Sequence, residues 1–319
     1  MTRLKSLGRI IGAAVALFAF TSFAAAQNLR VNYIPIIDVT PLFAAIDQGY
    51  FKDEGINIVL TPSTGGAAGI PGLMAGAYDV MFGNVVSTAI AEQQGFKLVV
   101  VGASTKLDPE APNTSGIVAR AADGIKGGKD LEGKTVAVNT RNNVIWLFAR
   151  AWIAKTGGDP NKVTFKEVPF PQMLDALRGK QVDAAFMVDP FMTAAASDKE
   201  TFSYIASPYK EVQPGVEIGH YITTRDYLDK NKDLLAKFSR AYRKGVVWYN
   251  SNLQNPELVR IISGFTKMQP EQVAKLSLQK MAEVVDPDTV AVTMKLMKDN
   301  GLLTRDIDVR GMTDPNAMK

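Results

Sequence analysis

A small set of residues in this sequence could do chemistry. Asp38, in the break Pro35–Thr40, and Asp189, in the Asp-Pro pair that closes the apolar run Ala184–Val188, are carboxylates. Each could accept a hydrogen bond from an amine or hydroxyl, and together across a cleft they could serve as the acid and base of a hydrolase. Thr140-Arg141-Asn142-Asn143 joins a guanidinium fork to the start of a helix, two features that suit a sulfonate or carboxylate. The bland alternative is a surface arginine beside an ordinary asparagine cap. Thr64-Gly65-Gly66 also precedes a helix, either as an anion-binding start or as a flexible turn. Thr40 stands beside Asp38, and Asn84 ends the apolar run Val80–Phe82, where it could meet a ligand or merely cap the next helix. His220 is the only histidine; a structural hydrogen-bonding role competes with a place in the site. Asp189 could likewise be a helix cap, and Asp38 a solvated loop carboxylate.

The same inventory limits the reaction classes. With one histidine, no cysteine, and no G-x-S-x-G, H-E-x-x-H or Walker A pattern, there is little material for a Ser-His-Asp triad, a metal cluster or a phosphate loop. No catalytic residue, metal or cofactor is expected. Trp146 and Trp152 read as helix packing.

The positions of these residues depend on a repeated unit. In ALRGKQVDAAFMVDP and the helix leading into it, Leu174 and Leu177 are helix-spaced, Gly179 reads as a left-handed stop, and Asp183 opens a buried strand. About a hundred residues earlier LMAGAYDVMFGN repeats the scheme with Gly76, Asp79 and Asn84. Strand patterns at Leu29–Ile34, Ile56–Thr61, Lys97–Ala103, Lys134–Asn139, Val163–Val168 and Phe202–Ala206 alternate with helical ones, which predicts parallel sheets. Pro169-Phe170-Pro171 reads as a turn. Ligands bind beyond the carboxyl ends of such strands, where most of the candidate residues fall. The periodicity lapses at Ser104–Asn113 and again around Pro208–Pro214, two crossings between lobes. From Tyr227 the pattern is almost wholly helical. The expected division is lobe I at 27–114 plus 218–319 and lobe II at 115–217.

At 319 residues, two lobes are the prior. Arg3, Lys5 and Arg9, an apolar stretch Ile10–Phe23, and Ala24-Ala25-Ala26 form the pattern of a cleavable signal peptide over 1–26. Its three basic residues account for most of the net charge of +4, leaving +1 for the remainder. That balance supports neither nucleic-acid nor membrane binding. A cysteine-free secreted chain fits the bacterial periplasm.

The segments VNYIPIIDVTPLFAAIDQGYFKDEGINIVL, LMAGAYDVMFGN, DLEGKTVAVNT and ALRGKQVDAAFMVDP, in that order, resemble the nitrate/sulfonate/taurine-type periplasmic solute-binding proteins of ABC transporters. The resemblance implies an α/β, two-lobed type II fold with two crossovers, each lobe a mainly parallel sheet flanked by helices. It also implies a monomer that closes on a small solute, a sulfonate-class anion or zwitterion, and hands it to a membrane permease. The ligand-binding set would be Asp38, Thr40, Thr64, Gly65, Asn84, Arg141, Asn143, Asp189 and His220. The family's acidic residue before proline is usually preceded by tryptophan; here that position is Val188, leaving Phe186 or Phe191 as an aromatic wall. A thiamine-type pyrimidine or aromatic carboxylate is the alternative ligand, and a sensor partner an alternative to transport. The related pyrimidine-synthesising enzymes use cysteines and histidines that this chain lacks, so a secreted carboxylate-dependent enzyme is the remaining catalytic reading.

Overall fold

The computed structural model describes residues 26–318, so the expected signal peptide lies outside the described residues except for Ala26. Ten strands follow in chain order: β1 (Gln27–Tyr33), β2 (Ile56–Pro62), β3 (Val80–Asn84), β4 (Leu98–Ala103), β5 (Ser115–Arg120), β6 (Thr135–Val138), β7 (Thr164–Glu167), β8 (Ala184–Val188), β9 (Phe202–Ala206) and β10 (Gly219–Thr224). They form two five-stranded sheets, ordered β2-β1-β3-β10-β4 and β7-β6-β8-β5-β9. The sheets define two lobes, I and II. Every residue of β3, β4 and β8 is buried, the signature of strands covered by helices on both faces.

Four of the five strands in each sheet run the same way, with Val31 opposite Val80 in a parallel pair of the first sheet and Val136 opposite Ala184 in one of the second. One strand in each sheet runs the other way. β10 is antiparallel to β3 and β4, and β5 is antiparallel to β8 and β9. These are the strands that receive the chain as it crosses from the other lobe. It arrives at the end where the parallel strands finish, and so traverses the sheet in reverse.

The two crossings lie side by side as a short antiparallel ladder. Leu107 N–H donates to the Val216 carbonyl at 2.9 Å and Ile218 N–H to the Thr105 carbonyl at 2.7 Å. Glu217, fully buried there, accepts from the Asp286 N–H at 2.9 Å, while Lys106 pairs with the Asp286 carboxylate at 2.7 Å. The C-terminal helices pack on the first sheet. The longest, Lys232–Ser251, buries Leu235, Phe238, Tyr242 and Val246, the stripe that its 3.6-residue period predicts.

Two local readings need correction. Gly179 is not the left-handed stop (φ −75°); Lys180 takes that conformation at φ +54°. Gly179 still belongs to the last turn, its N–H bonded to the Asp175 carbonyl, so the reversal falls one residue later. Pro169–Pro171 is not a free turn either. The helix spans Phe170–Arg178 with Pro171 in its first turn, where a missing N–H costs no hydrogen bond.

Candidate functional site

Between the sheets is a cavity lined from both lobes. Its volume is about 50 Å³, several times the ~10–15 Å³ that one water needs. Ile34, Phe82, Val144, Phe170, Val188 and Tyr209 give it an apolar, partly aromatic wall. Polar groups enter from Asp38, Asn84 and Thr105 on one side and Ser115, Asn139 and Asn143 on the other. No lysine or arginine lines it among the described residues.

Asp38 sits in the turn after β1. One carboxylate oxygen accepts from the Thr105 hydroxyl, and its carbonyl accepts from the Ser104 hydroxyl at 2.8 Å. Burial raises its pKa, against the opposing effect of the Thr105 bond. Asp189, only 2% exposed, lies directly behind Val188 at the end of β8. Its Oδ1 accepts from Thr193 N–H at 2.9 Å, in the first turn of the helix Phe191–Ser197. Its Oδ2 is buried with no partner among the described residues. Burial, with the Asp38 charge as a lesser contribution, pushes its pKa up to about 7. The two lobes thus bring a carboxylate each to the same region, and neither meets a cationic side chain there.

Asn84 and Asn143 each cap a helix and face the cavity. Asn84 Oδ1 accepts from Ser87 N–H at 3.0 Å and, across the lobes, from Val144 N–H at 3.2 Å. Asn143 Oδ1 accepts from Trp146 N–H at 3.0 Å, leaving its amide N–H₂ to donate to Asn139 Oδ1 at 2.8 Å and Thr140 Oγ1 at 2.9 Å. Other interlobe bonds run from Ile37 N–H to the Asp189 carbonyl at 3.2 Å and from Ser87 Oγ to the Asn142 carbonyl at 3.3 Å.

The remaining expected residues, like Asp189, fall outside the cavity wall. Thr40 is fully buried and donates back to the Ile37 carbonyl at 2.6 Å, closing a helix start. Thr64 exposes its side chain and offers only its carbonyl to Asn139 Nδ2 at 3.1 Å. Gly65 packs against Asn139 and Thr140, while its neighbour Gly66 lines the cavity. Arg141 is 61% exposed and turns outward to Glu167, whose Oε1 accepts from the Arg141 backbone N–H at 2.7 Å and lies 3.8 Å from the guanidinium Nε. It does not face the enclosed space. His220 is buried behind Gly219 with Nε2 2.8 Å from Thr88 Oγ1, and burial pushes its pKa down to about 3, so it is neutral and structural. The aromatic wall also differs from expectation. Phe186 is fully buried against Tyr209, and Phe191 stacks on Phe170, so the rings that line the cavity are Phe82, Phe170 and Tyr209, each itself buried.

Sequence reading had passed over Thr105, Ser115, Asn139 and Phe170. For Thr105 and Asn139 the available signal was position, just past the carboxyl ends of β4 and β6. Ser115 begins an antiparallel strand, so its amino end reaches the same cleft. No comparable signal marked Phe170, which opens a helix.

Comparison with known proteins agrees with this architecture. A family model described as NMT1/THI5 like matches residues 36–257. The binding protein YtlA of Bacillus subtilis is 22% identical over 263 residues, covering 79% of this chain and 76% of that protein. Among solved structures, the alkanesulfonate-binding protein SsuA of Xanthomonas axonopodis pv. citri, bound to MOPS, superposes with a TM-score of 0.76 at 16% identity, covering 91% of this chain and 99% of that one. The periplasmic nitrate-binding protein NrtA of Synechocystis PCC 6803 gives 0.74 at 13% identity, covering 90% and 86%. With two mainly parallel sheets, two crossovers and a family match over most of its length, the chain belongs to the NMT1/THI5-like family and has the two-lobed periplasmic-binding-protein fold.

Proposed function

We propose that this protein is the periplasmic solute-binding component of an ABC importer, closing its lobes on one small solute and presenting the closed form to a membrane permease. The observation that carries this reading is the cavity itself, lying between the lobes and lined with polar groups from both. A solute that bridges them stabilises only the closed state, which is what a carrier requires.

The lining favours a solute with hydrogen-bond donors or a positive charge on a flat, largely apolar body, as in an amino-substituted nitrogen heterocycle of the thiamine-pyrimidine kind. Asp38 in the wall calls for a donor, Asp189 with its unpartnered oxygen lies buried just behind the lining residue Val188, and Phe82, Phe170 and Tyr209 suit a ring. The sulfonate reading draws support from SsuA and from the helix start at Gly66, where the cap residue, Gly65, has no side chain to occupy the first N–H groups. It lacks a lining cation, because Arg141 is turned away.

A thermal-shift screen of the mature protein against aminopyrimidines, taurine, alkanesulfonates, nitrate and bicarbonate tests both levels. An aminopyrimidine is expected to raise Tm and to be recovered unchanged. Stabilisation by the anions alone would overturn the ligand class, and consumption of the ligand would overturn the carrier role in favour of a carboxylate-dependent enzyme.

A further inference from the structure

Gly65 looks at first like one more turn glycine, but its backbone has no need of one. Its φ is 175° with ψ 161°, extended geometry open to any residue. The demand for glycine comes from the opposite lobe. A Cβ at this position would stand 2.6 Å from Asn139 Nδ2, 2.8 Å from Thr140 Cγ2 and 2.9 Å from Thr140 Oγ1, and these three nearest atoms all belong to lobe II.

Those atoms are not free to step aside. Asn139 is held at both ends of its amide, donating to the Thr64 carbonyl across the cleft and accepting from Asn143. Thr140 Oγ1 accepts from the same Asn143 amide, which is itself fixed by capping the helix Val144–Lys155. All three side chains are buried. Shifting them breaks a chain of hydrogen bonds between buried side chains.

We infer that Gly65 is a closure gate, a residue whose missing side chain allows the Thr64–Gly65 turn of lobe I to seat against the Asn139–Thr140–Asn143 cluster of lobe II. The inference rests on the carrier reading, since it concerns the closed state of that same cleft. Gly65 does not line the cavity, so its replacement acts on lobe approach and reaches the solute contacts only through Asn139.

The chain has no cysteine, so spin labels at Thr61→Cys and Lys166→Cys, one on each lobe, report the interlobe distance uniquely. Distances are measured with and without 4-aminopyrimidine and taurine as probes, in the otherwise unchanged labelled protein and in Gly65→Ala. The control is Gly127→Ala, where a Cβ meets nothing within 4 Å. Gly65→Ala is expected to keep its probe-free Tm within about 2 °C while its closed-to-open ratio falls roughly tenfold or more, the scale of an overpacked contact. In an Asn139→Ala/Thr140→Ala background the same substitution is expected to change that ratio by no more than about twofold, because the obstructing atoms are gone. Equal closure of Gly65→Ala and the unsubstituted protein would overturn the gate while leaving the carrier reading intact. A failure of the unsubstituted protein to show a short distance under any condition would overturn the closure reading, and the gate with it.

Discussion

Asp189 is buried with one hydrogen bond on Oδ1 and none on Oδ2, and that burial has a pH signature. With its pKa raised from 3.8 to about 7, the folded protein holds a proton that the unfolded chain releases. The stabilising contribution is complete below about 4, declines as pH rises toward 7 and is gone above it. Glu217 acts in the same direction, whereas His220, depressed to about 3, contributes above 6.5 and loses that contribution as pH falls. The difference between parent and Asp189→Asn therefore isolates the one group. Thermal unfolding from pH 4 to 8 is expected to show the parent losing stability relative to the variant by on the order of 1 kcal/mol or more, and parallel profiles would remove the assignment. At the same scale, Asp38→Ala should weaken binding of the identified solute at least about tenfold, the cost of a charged hydrogen bond. Arg141→Ala should leave titrated affinity unchanged. A loss with Arg141→Ala would restore the anion clamp.

At the scale of elements, the helix Val144–Lys155 joins folding to closure through its cap. Asn143 satisfies the helix start with its oxygen and orients Asn139 and Thr140 with its nitrogen. Asn143→Ala removes both roles and is expected to lower stability by about 1 kcal/mol, within the range of lost caps. Asn143→Asp keeps the acceptor and loses the donors, so denaturation should find it close to the parent while ligand titration finds it weakened. If both properties fall together in Asn143→Asp, the two roles are not separable. Asn143 and Asn84 were legible as caps because a polar residue between an apolar strand and a helical run has few other uses. Arg141 was misleading for a physical reason. Sequence placed it at a helix start beside the cleft, but an exposed Glu167 on the neighbouring strand offers it a partner outside, and proximity in sequence does not fix the direction of a long side chain. The turn at Gly179–Lys180 was misplaced by one residue because glycine propensity marks the neighbourhood of a reversal more surely than its position.

At the scale of the whole molecule, parallel sheets and their helices were readable from periodicity, since strands buried on both faces produce unbroken apolar runs. The reversed strands β5 and β10 were not. Gly116–Ala119 and Ile218–Thr223 look like any short extended segments, and their direction is set by where the chain re-enters, which is a property of topology. The cavity wall was only half legible for the same reason: Asn139 and Phe170 become neighbours of Asp38 only once the lobes meet.

The placement of β10 also bears on the order in which the protein acquires its structure. Among the strands named above β4 pairs with β10 alone, and the chain supplies β10, like the Thr313 bridge on the other edge of β4, after all five strands of the second sheet are present. The first sheet is therefore begun early and finished late, while the sheet that starts second can be completed without waiting for any later segment. Closing a contact across so long a stretch of chain is slow. Pulse-labelled hydrogen exchange during refolding is expected to protect β5 to β9 before β4 and β10. Simultaneous protection of all these strands would show that the lobes fold as one unit. A chain emerging from its amino end would then pass through a state in which lobe II is built and lobe I still awaits its keystone.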